Sequence, residues 1–539
     1  MRPNVRLPDE VDVLVVGAGF SGLYMLHKLR GIGMEAVALE KGDGVGGTWY
    51  WNRYPGARCD VESPYYSYSF DADLEQEWEW TERYPAQPEL LRYLNHVADR
   101  FDLRKDISFE TTAVSAIFDE VSDVWTVTTV GPEGGQVTRA RYCVMATGCL
   151  SSARMPDIPG LESFEGNLLH TGMWPHEEVD FTGQRVGVIG TGSSGIQAIP
   201  VIASQAENLQ VFQRTPNFSV PAFNGPIDQE WVKGIKADYP ALRERSRHTT
   251  MGIPYQRRDQ SAMEVSAEER QRIFEHHWPK GGFRISSCFN DLIRNKESND
   301  ALATFVRGKI DEMVDDPKIA ELLKPQDHPI TAKRICVDTD YYATYNRDNV
   351  DLVDVKSDPI QEITARGIQT AGKHFELDTI VVATGFDAMT GAMLRMDIRG
   401  RGGASLREHW DAGARTYLGL AVAGFPNMFT IAGPGSPSVL SNMVTSIEQH
   451  VEWIAEHLSY LAERGCASSE ANTVAEDEWV EHVRELSEKT LFPSANSWYL
   501  GANVPGKPRV FMPYVGGVGT YRAHCEDIAA RDYEGFLIK

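Results

Sequence analysis

Two glycine-rich loops stand where a chain can hold a dinucleotide. The first reads Gly17-Ala18-Gly19-Phe20-Ser21-Gly22 and the second Gly190-Thr191-Gly192-Ser193-Ser194-Gly195. The missing side chains let backbone N–H groups approach a pyrophosphate, and the N-terminus of a following helix adds positive potential. The residue at the end of the next strand then selects the ribose. Glu40, 18 positions after Gly22, offers a carboxylate to ribose hydroxyls and suits FAD. Arg214, 19 positions after Gly195, offers a guanidinium that matches a 2′-phosphate with paired hydrogen bonds, and Thr215 adds a hydroxyl donor. The second loop should therefore take NADPH rather than NADH. One such loop is weak evidence, but two, each between a strand and a helix, leave ordinary glycine turns a poor explanation.

Each loop needs a strand before it and a helix after it. Residues 11–16 form a short β-branched run ending in the first loop, and 23–29 continue as a helix. Residues 185–189 and an apolar pattern running to 206 repeat that order about 170 positions later. Two near-repeats, Cys143-Val144-Met145-Ala146-Thr147-Gly148 and Ile380-Val381-Val382-Ala383-Thr384-Gly385-Phe386-Asp387, read as buried strands ending in Thr-Gly. The charge-rich stretch 225–330 carries helical spacing at Leu302, Phe305, Val306, Ile310 and Met313, which predicts a helical cap. Ile447, Val451, Ile454, Leu458 and Leu461 mark a further helix with a core-facing stripe and no chemistry.

At 539 residues and 42% hydrophobic composition the chain can build about three domain-sized units. Its 76 acidic and 53 basic residues give a formal charge of -23, which argues against nucleic-acid or anionic-membrane partners. No apolar run approaches the ~18 residues of a membrane span and the opening ten residues lack a signal-peptide core, so a cytoplasmic protein is expected. Seven scattered cysteines without a C-x-x-C pair predict reduced thiols. No H-E-x-x-H, Cys/His cluster or G-x-S-x-G elbow supports metal hydrolysis or serine acyl transfer, and no metal site is expected. Redox chemistry remains.

Just before the second loop lies Phe164-Glu165-Gly166-Asn167-Leu168-Leu169-His170-Thr171-Gly172-Met173-Trp174-Pro175, of pattern F-x-G-x-x-x-H-x-x-x-W-P. Gly46-Gly47-Thr48-Trp49-Tyr50-Trp51-Asn52-Arg53-Tyr54-Pro55-Gly56-Ala57-Arg58-Cys59-Asp60 has the pattern G-G-x-W-x-x-x-x-Y-P-G-x-x-x-D. With the two Ala-Thr-Gly segments, these resemble the type I Baeyer–Villiger monooxygenases across nearly the whole chain. The stretches around Trp498 and Met443 resemble the phenylacetone and steroid monooxygenase branch more than the cyclohexanone type. The resemblance implies an α/β fold with two Rossmann-like dinucleotide-binding domains and a helical insertion. Its expected boundaries are 1–148 with 386–539 for FAD, 149–224 with 331–385 for NADP, and 225–330 for the insertion. It also implies FAD and NADPH as cofactors and a small-molecule ketone and O2 as reactants. One oxygen enters beside the carbonyl, by way of a C4a-peroxyflavin, to give an ester or lactone, with sulfoxidation as a side activity.

The resemblance assigns roles residue by residue. Arg334 matches the active-site arginine beside the flavin and Asp60 the carboxylate that holds it; a fixed cation there stabilises an anionic oxygen adduct. Lys333 precedes Arg334 at the opening of the strand-like Ile335-Cys336-Val337, where neighbours face opposite ways and can serve different ligands. Lys333, Gln197 and Trp498 join the second loop, Arg214 and Thr215 at NADP, and Lys41, Gly47, Thr48, Trp49, Asp60 and Met443 join the first loop and Glu40 at FAD. Leu150, Leu440, Met443 and Trp498 line the substrate pocket, and Trp498 anchors a turn-rich lid over 494–507. Phe164, Gly166, His170 and Trp174 form a hinge between the nucleotide domains rather than a site of proton transfer. Cys149 departs from the family pattern and should change the pocket's shape.

Two rivals are weighed against this reading. Flavin-containing or N-hydroxylating monooxygenases share both loops, but Asp60, Arg334 and the terminal Trp-Pro speak against them. A non-catalytic FAD/NADP redox sensor would have no use for Arg334, the lid tryptophan or the phosphate site. The natural ketone and the oligomeric state, a monomer included, are left open.

Overall fold

The computed structural model describes residues 7–539. Two separate sheets carry the two glycine loops. In the first, Glu10–Val16 runs parallel between Gly134–Met145 and Ala36–Leu39, with Ile107–Ser108 beyond; Thr112–Asp119 and Val124–Gly131 extend it antiparallel. Asp397–Arg399 and Met428–Thr430 return to this sheet from far down the chain. The second sheet is wholly parallel, in the order Val350–Asp354, Asn208–Gln213, Arg185–Ile189, Thr379–Val382, Asn167–His170. This is the expected α/β architecture. Parallel strands covered on both faces read as unbroken apolar runs, and Val13, Leu14, Val15, Val144, Val188 and Val381 are fully buried.

The near-repeated Ala-Thr-Gly segments have a packing reason. Gly17, at φ 110°, would place a Cβ 2.5 Å from the Ala146 carbonyl oxygen, and Gly190, at φ 109°, would place one 2.7 Å from that of Ala383. Each of these segments, where the chain crosses between the two sheets, is thus laid against one nucleotide loop, and only glycine permits the approach.

The insertion forms helices Gln229–Ala237, Tyr239–His248, Ala267–His277, Lys296–Met313 and Pro317–Leu323. It does more than cap. Leu302, Phe305 and Val306 share one core with Phe20 and Leu23 of the first loop's helix, whereas Ile310, on the same helix, joins the core of the second sheet. Met443–Glu463 packs along Phe20–Gly31, and its His450 accepts a hydrogen bond from the Ala432 amide at Nδ1 (2.8 Å).

Burial pushes His450 and His457 down to about 3, so both stay neutral in the fold. The unfolded chain takes up these protons more readily, so the contribution is whole above the ordinary value of 6.5 and is lost as pH falls toward 3. Each histidine should cost about 1.4 kcal/mol per pH unit over that window. Their imidazole NMR signals should not titrate between about pH 7 and 5 while the melting temperature falls; titration in that range would contradict the assignment.

Candidate active site

Helix Phe20–Gly31 starts at Gly19 with no side-chain cap and no acidic residue in its first turn, leaving its N-terminal N–H groups for a ligand. A Cβ on Gly22 would lie 1.8 Å from the Gly17 carbonyl oxygen, and one on Gly47, at φ 52°, would lie 2.9 Å from the Gly19 Cα. The first loop and the Gly46-Gly47 turn therefore meet backbone to backbone. Thr48 and Trp49 open the short helix Thr48–Trp51 beside it. Glu40, buried at the end of Ala36–Leu39, accepts hydrogen bonds from the Ala18 and Gly42 amides at 2.9 Å each. Burial raises its pKa, and these N–H groups oppose the rise. Uncapped amides and a poised carboxylate fit the pyrophosphate and ribose of FAD.

The second cradle repeats the design. Helix Ser193–Gln205 begins at Gly192 without a side-chain cap, and a Cβ on Gly195 would lie 2.2 Å from the Gly190 carbonyl oxygen. Thr191 donates its hydroxyl to the Thr215 carbonyl (3.2 Å), tying the loop to the next strand's end. Arg214 is exposed there, and neither it nor half-buried Lys333 is in an ion pair among the described residues. Burial first, and then the like charge of Arg214, lowers the Lys333 pKa against the pull of Asp327. Two neighbouring cations, neither held in an ion pair among the described residues, fit a phosphate. The Gln197 amide accepts from the Tyr54 hydroxyl (2.8 Å) and donates to the Arg58 carbonyl (3.0 Å). It thereby clasps the second loop's helix to the segment that ends in Asp60.

Asp60 and Arg334, 274 positions apart, are brought together. The guanidinium approaches Asp60 Oδ2 through Nε at 2.8 Å and Nη2 at 2.6 Å, and donates from Nη1 to the Val439 carbonyl at 2.6 Å. Its face lies 5.2 Å from the Phe283 ring centre. Burial disfavours the charged form, but the Asp60 carboxylate, joined by Tyr499 and Cys59, holds Arg334 above the ordinary arginine range. The regular strand begins only at Cys336, paired with Ser219–Pro221, so Lys333 and Arg334 lie just before it and not on it. They still part: Arg334 turns to Asp60, and Lys333 lies in the field of Asp327 and Arg214.

Three further contributors carry little signal in the sequence. Val439 acts through its backbone, which no residue type reveals, and Phe283 sits in an insertion without a motif. Tyr499, buried next to Trp498, is pushed up to about 12 by burial while the nearby charge of Arg334 pulls it down. Its adjacency to the lid tryptophan was the one available hint.

Leu150, Leu440, Met443 and Trp498 all pack on one apolar cluster with Cys149, Met389, Val439 and Tyr499. The stretch 494–507 is tied to the second crossing segment: Lys507 Nζ reaches Asp387 Oδ1 (2.6 Å), and Asn503 donates to the Phe386 carbonyl (2.7 Å). Arg154 in turn donates to the Asn503 carbonyl (3.1 Å). His170 ends the edge strand Asn167–His170; its Nδ1 accepts from the Gly172 amide (3.0 Å), which leaves Nε2 to donate to the Arg154 carbonyl (3.2 Å). Burial lowers the His170 pKa, consistent with a structural imidazole. Trp174 is buried in the second core, and Phe164 packs against Gly166, whose Cβ would meet the Phe164 ring at 2.6 Å. Lys41 Nζ stands 5.6 Å over the Trp51 ring.

Residues 10–220 match the family described as Flavin-binding monooxygenase-like. A Baeyer–Villiger monooxygenase of Pseudooceanicola batsensis is 43% identical, over 98% of this chain and 96% of its own. A phenazine N-monooxygenase of Lysobacter antibioticus is 44% identical over 98% and 97%. The solved structure of an oxidised steroid monooxygenase bound to NADP shares 53% of its sequence and superposes with a TM-score of 0.94, covering 98% of this chain and 99% of that one. With both loops, the Asp60–Arg334 pair and these whole-length likenesses in place, the chain belongs to the flavin-binding monooxygenase-like family, in its Baeyer–Villiger branch.

Proposed function

We propose that this protein is an FAD- and NADPH-dependent Baeyer–Villiger monooxygenase that inserts one oxygen atom of O2 beside the carbonyl of a small ketone, with thioether sulfoxidation as a side activity. The observation that carries the reading is a guanidinium held by Asp60 and the Val439 carbonyl, with Val439 itself in an apolar cluster. Oxygen activation is the chemistry that FAD supplies once reduced by NADPH. The chain's residues bind, orient and shield. Asp60 fixes the Arg334 guanidinium, whose charge stabilises the negative oxygen that develops as a carbonyl is attacked. Leu150, Leu440, Met443 and Trp498 exclude water and hold the ketone's carbon skeleton.

The division into a FAD domain (1–148, 386–539), an NADP domain (149–224, 331–385) and an insertion (225–330) is supported by the two sheets, whose strands come from alternating stretches of chain. Among the described residues no helix is long and apolar enough to cross a membrane and all seven cysteines are free, which supports a reducing, cytoplasmic setting.

Arg214 and Lys333 set the nucleotide preference. Arg214→Ala is expected to raise the KM for NADPH by about tenfold to a hundredfold and leave that for NADH within about threefold, because only the 2′-phosphate loses its partner. Steady-state kinetics with both nucleotides reads this directly; equal losses for both would place the phosphate elsewhere.

Purified protein, NADPH, 18O2 and a panel of methyl, cyclic and steroidal ketones test the function. The expected product is an ester or lactone carrying one 18O, and peroxide alone with every ketone would overturn the reading. Because a relative 44% identical is named for N-oxygenation, the panel includes aromatic N-heterocycles. N-oxide without ester would favour that second reading.

A further inference from the structure

We propose that the bonded side chains of Cys149 and Ser438 position Arg334, by holding in place the Val439 carbonyl that receives its Nη1. The inference rests on the role given to Arg334 above. Between strand Met428–Thr430 and helix Met443–Glu463 the chain runs through a loop whose short helical turn, Ser438–Leu440, contains Val439. Two of its non-glycine residues have left-handed backbones, Ala432 at φ 58° and Ser438 at φ 39°, and Met389 on the adjoining crossing segment has φ 68°. Each costs on the order of 1 kcal/mol or more, so the surroundings must hold them.

Cys149 is bonded to all three. Its thiol donates to the Ala432 carbonyl (3.1 Å), which leaves the sulfur to accept from the Ser438 hydroxyl at 3.0 Å. Its own carbonyl accepts from the Met389 amide (2.8 Å). On the far side, Ser441 Oγ donates to the Ser438 carbonyl (2.8 Å), so Ser438 is gripped at side chain and backbone. The next residue is Val439, whose carbonyl lies 2.6 Å from Arg334 Nη1. Burial pushes the Cys149 thiol up to about 11, which keeps it a proton donor at working pH. Cys149 and Ser438 do not reach Arg334 and act through Val439; they are positioning residues.

The test compares the FAD-loaded wild type with Cys149→Ala, Cys149→Ser and Ser438→Ala by crystal structure and by the fraction of NADPH recovered as oxygenated product rather than peroxide. Cys149→Ala and Ser438→Ala should lose the Arg334–Val439 hydrogen bond and lower that fraction by about fivefold or more, since small displacements of an electrostatic group are costly. Cys149→Ser keeps a donor and an acceptor and should stay within about twofold of wild type, with the bond intact. A merely structural role would change melting temperature and flavin content and leave the fraction alone. Persistence of the bond in Cys149→Ala and Ser438→Ala, or equal impairment of Cys149→Ser and Cys149→Ala, overturns the inference. If the wild type yields no oxygenated product from any ketone, the proposed reaction is at fault, and the crystallographic comparison still decides the tether.

Discussion

Replacing Arg334 by alanine is expected to abolish ketone oxygenation while FAD stays bound. The guanidinium carries the charge that the developing oxyanion needs, and loss of such a donor costs about 3 kcal/mol of barrier, a factor of about a hundred in rate. Flavin binding should survive because the first loop, Glu40 and the Gly46-Gly47 turn lie on other segments and make no use of Arg334. Arg334→Lys should recover little. A lysine is a compact charge that cannot reach Asp60 through two nitrogens and the Val439 carbonyl through a third. Flavin content by absorbance and product by mass spectrometry check both parts, and an Arg334→Ala enzyme that still made ester at more than about a tenth of the wild-type rate would sink the assignment.

How far the chain could be read without coordinates follows from the range over which each signal acts. The glycine loops, Glu40 and Arg214 are local: a strand, a turn and a helix fix their geometry within some twenty residues, so spacing reveals them. Met443–Glu463 was legible for the same reason, its apolar stripe being a property of one helix. Asp60 and Arg334 are different. Nothing in either neighbourhood encodes their meeting, and only the family pattern singled them out before the structure placed them 2.6 Å apart. The strand expected from residue 335 begins at 336 because its partner Ser219–Pro221 is itself only three residues long, and pairing, not propensity, sets the boundary. Gln197 shows the remaining limit. Spacing places it on the nucleotide helix, but its bonds to Tyr54 and Arg58 are set by tertiary packing that no local pattern encodes. The insertion carried no motif at all, and its contribution, Phe283 against the Arg334 guanidinium, emerges only because its helices merge with the first unit's core.

The second large effect is expected at Asp60, and its size should depend on what stands at position 334. Asp60→Ala leaves the guanidinium with the Val439 carbonyl as its main fixed acceptor, free to swing away from the reacting oxygen. Product formation should fall by about tenfold to a hundredfold, since misplacing a charge by about 1 Å is enough for that loss. Folding should suffer less. The two side chains keep 24% and 23% of their exposure, so water partly replaces the lost carboxylate and the stability cost should be about 1–2 kcal/mol rather than the 3–5 of a fully buried broken pair. If Asp60 works only by orienting Arg334, the double variant Asp60→Ala with Arg334→Ala should be no slower than Arg334→Ala alone, because the carboxylate then has nothing left to hold. Additive losses in that cycle would mean that Asp60 acts on the bound nucleotide or ketone directly. The same cycle read by thermal unfolding separates the two roles, since removing both charges relieves the unpaired guanidinium and should restore part of the stability that Asp60→Ala gives up.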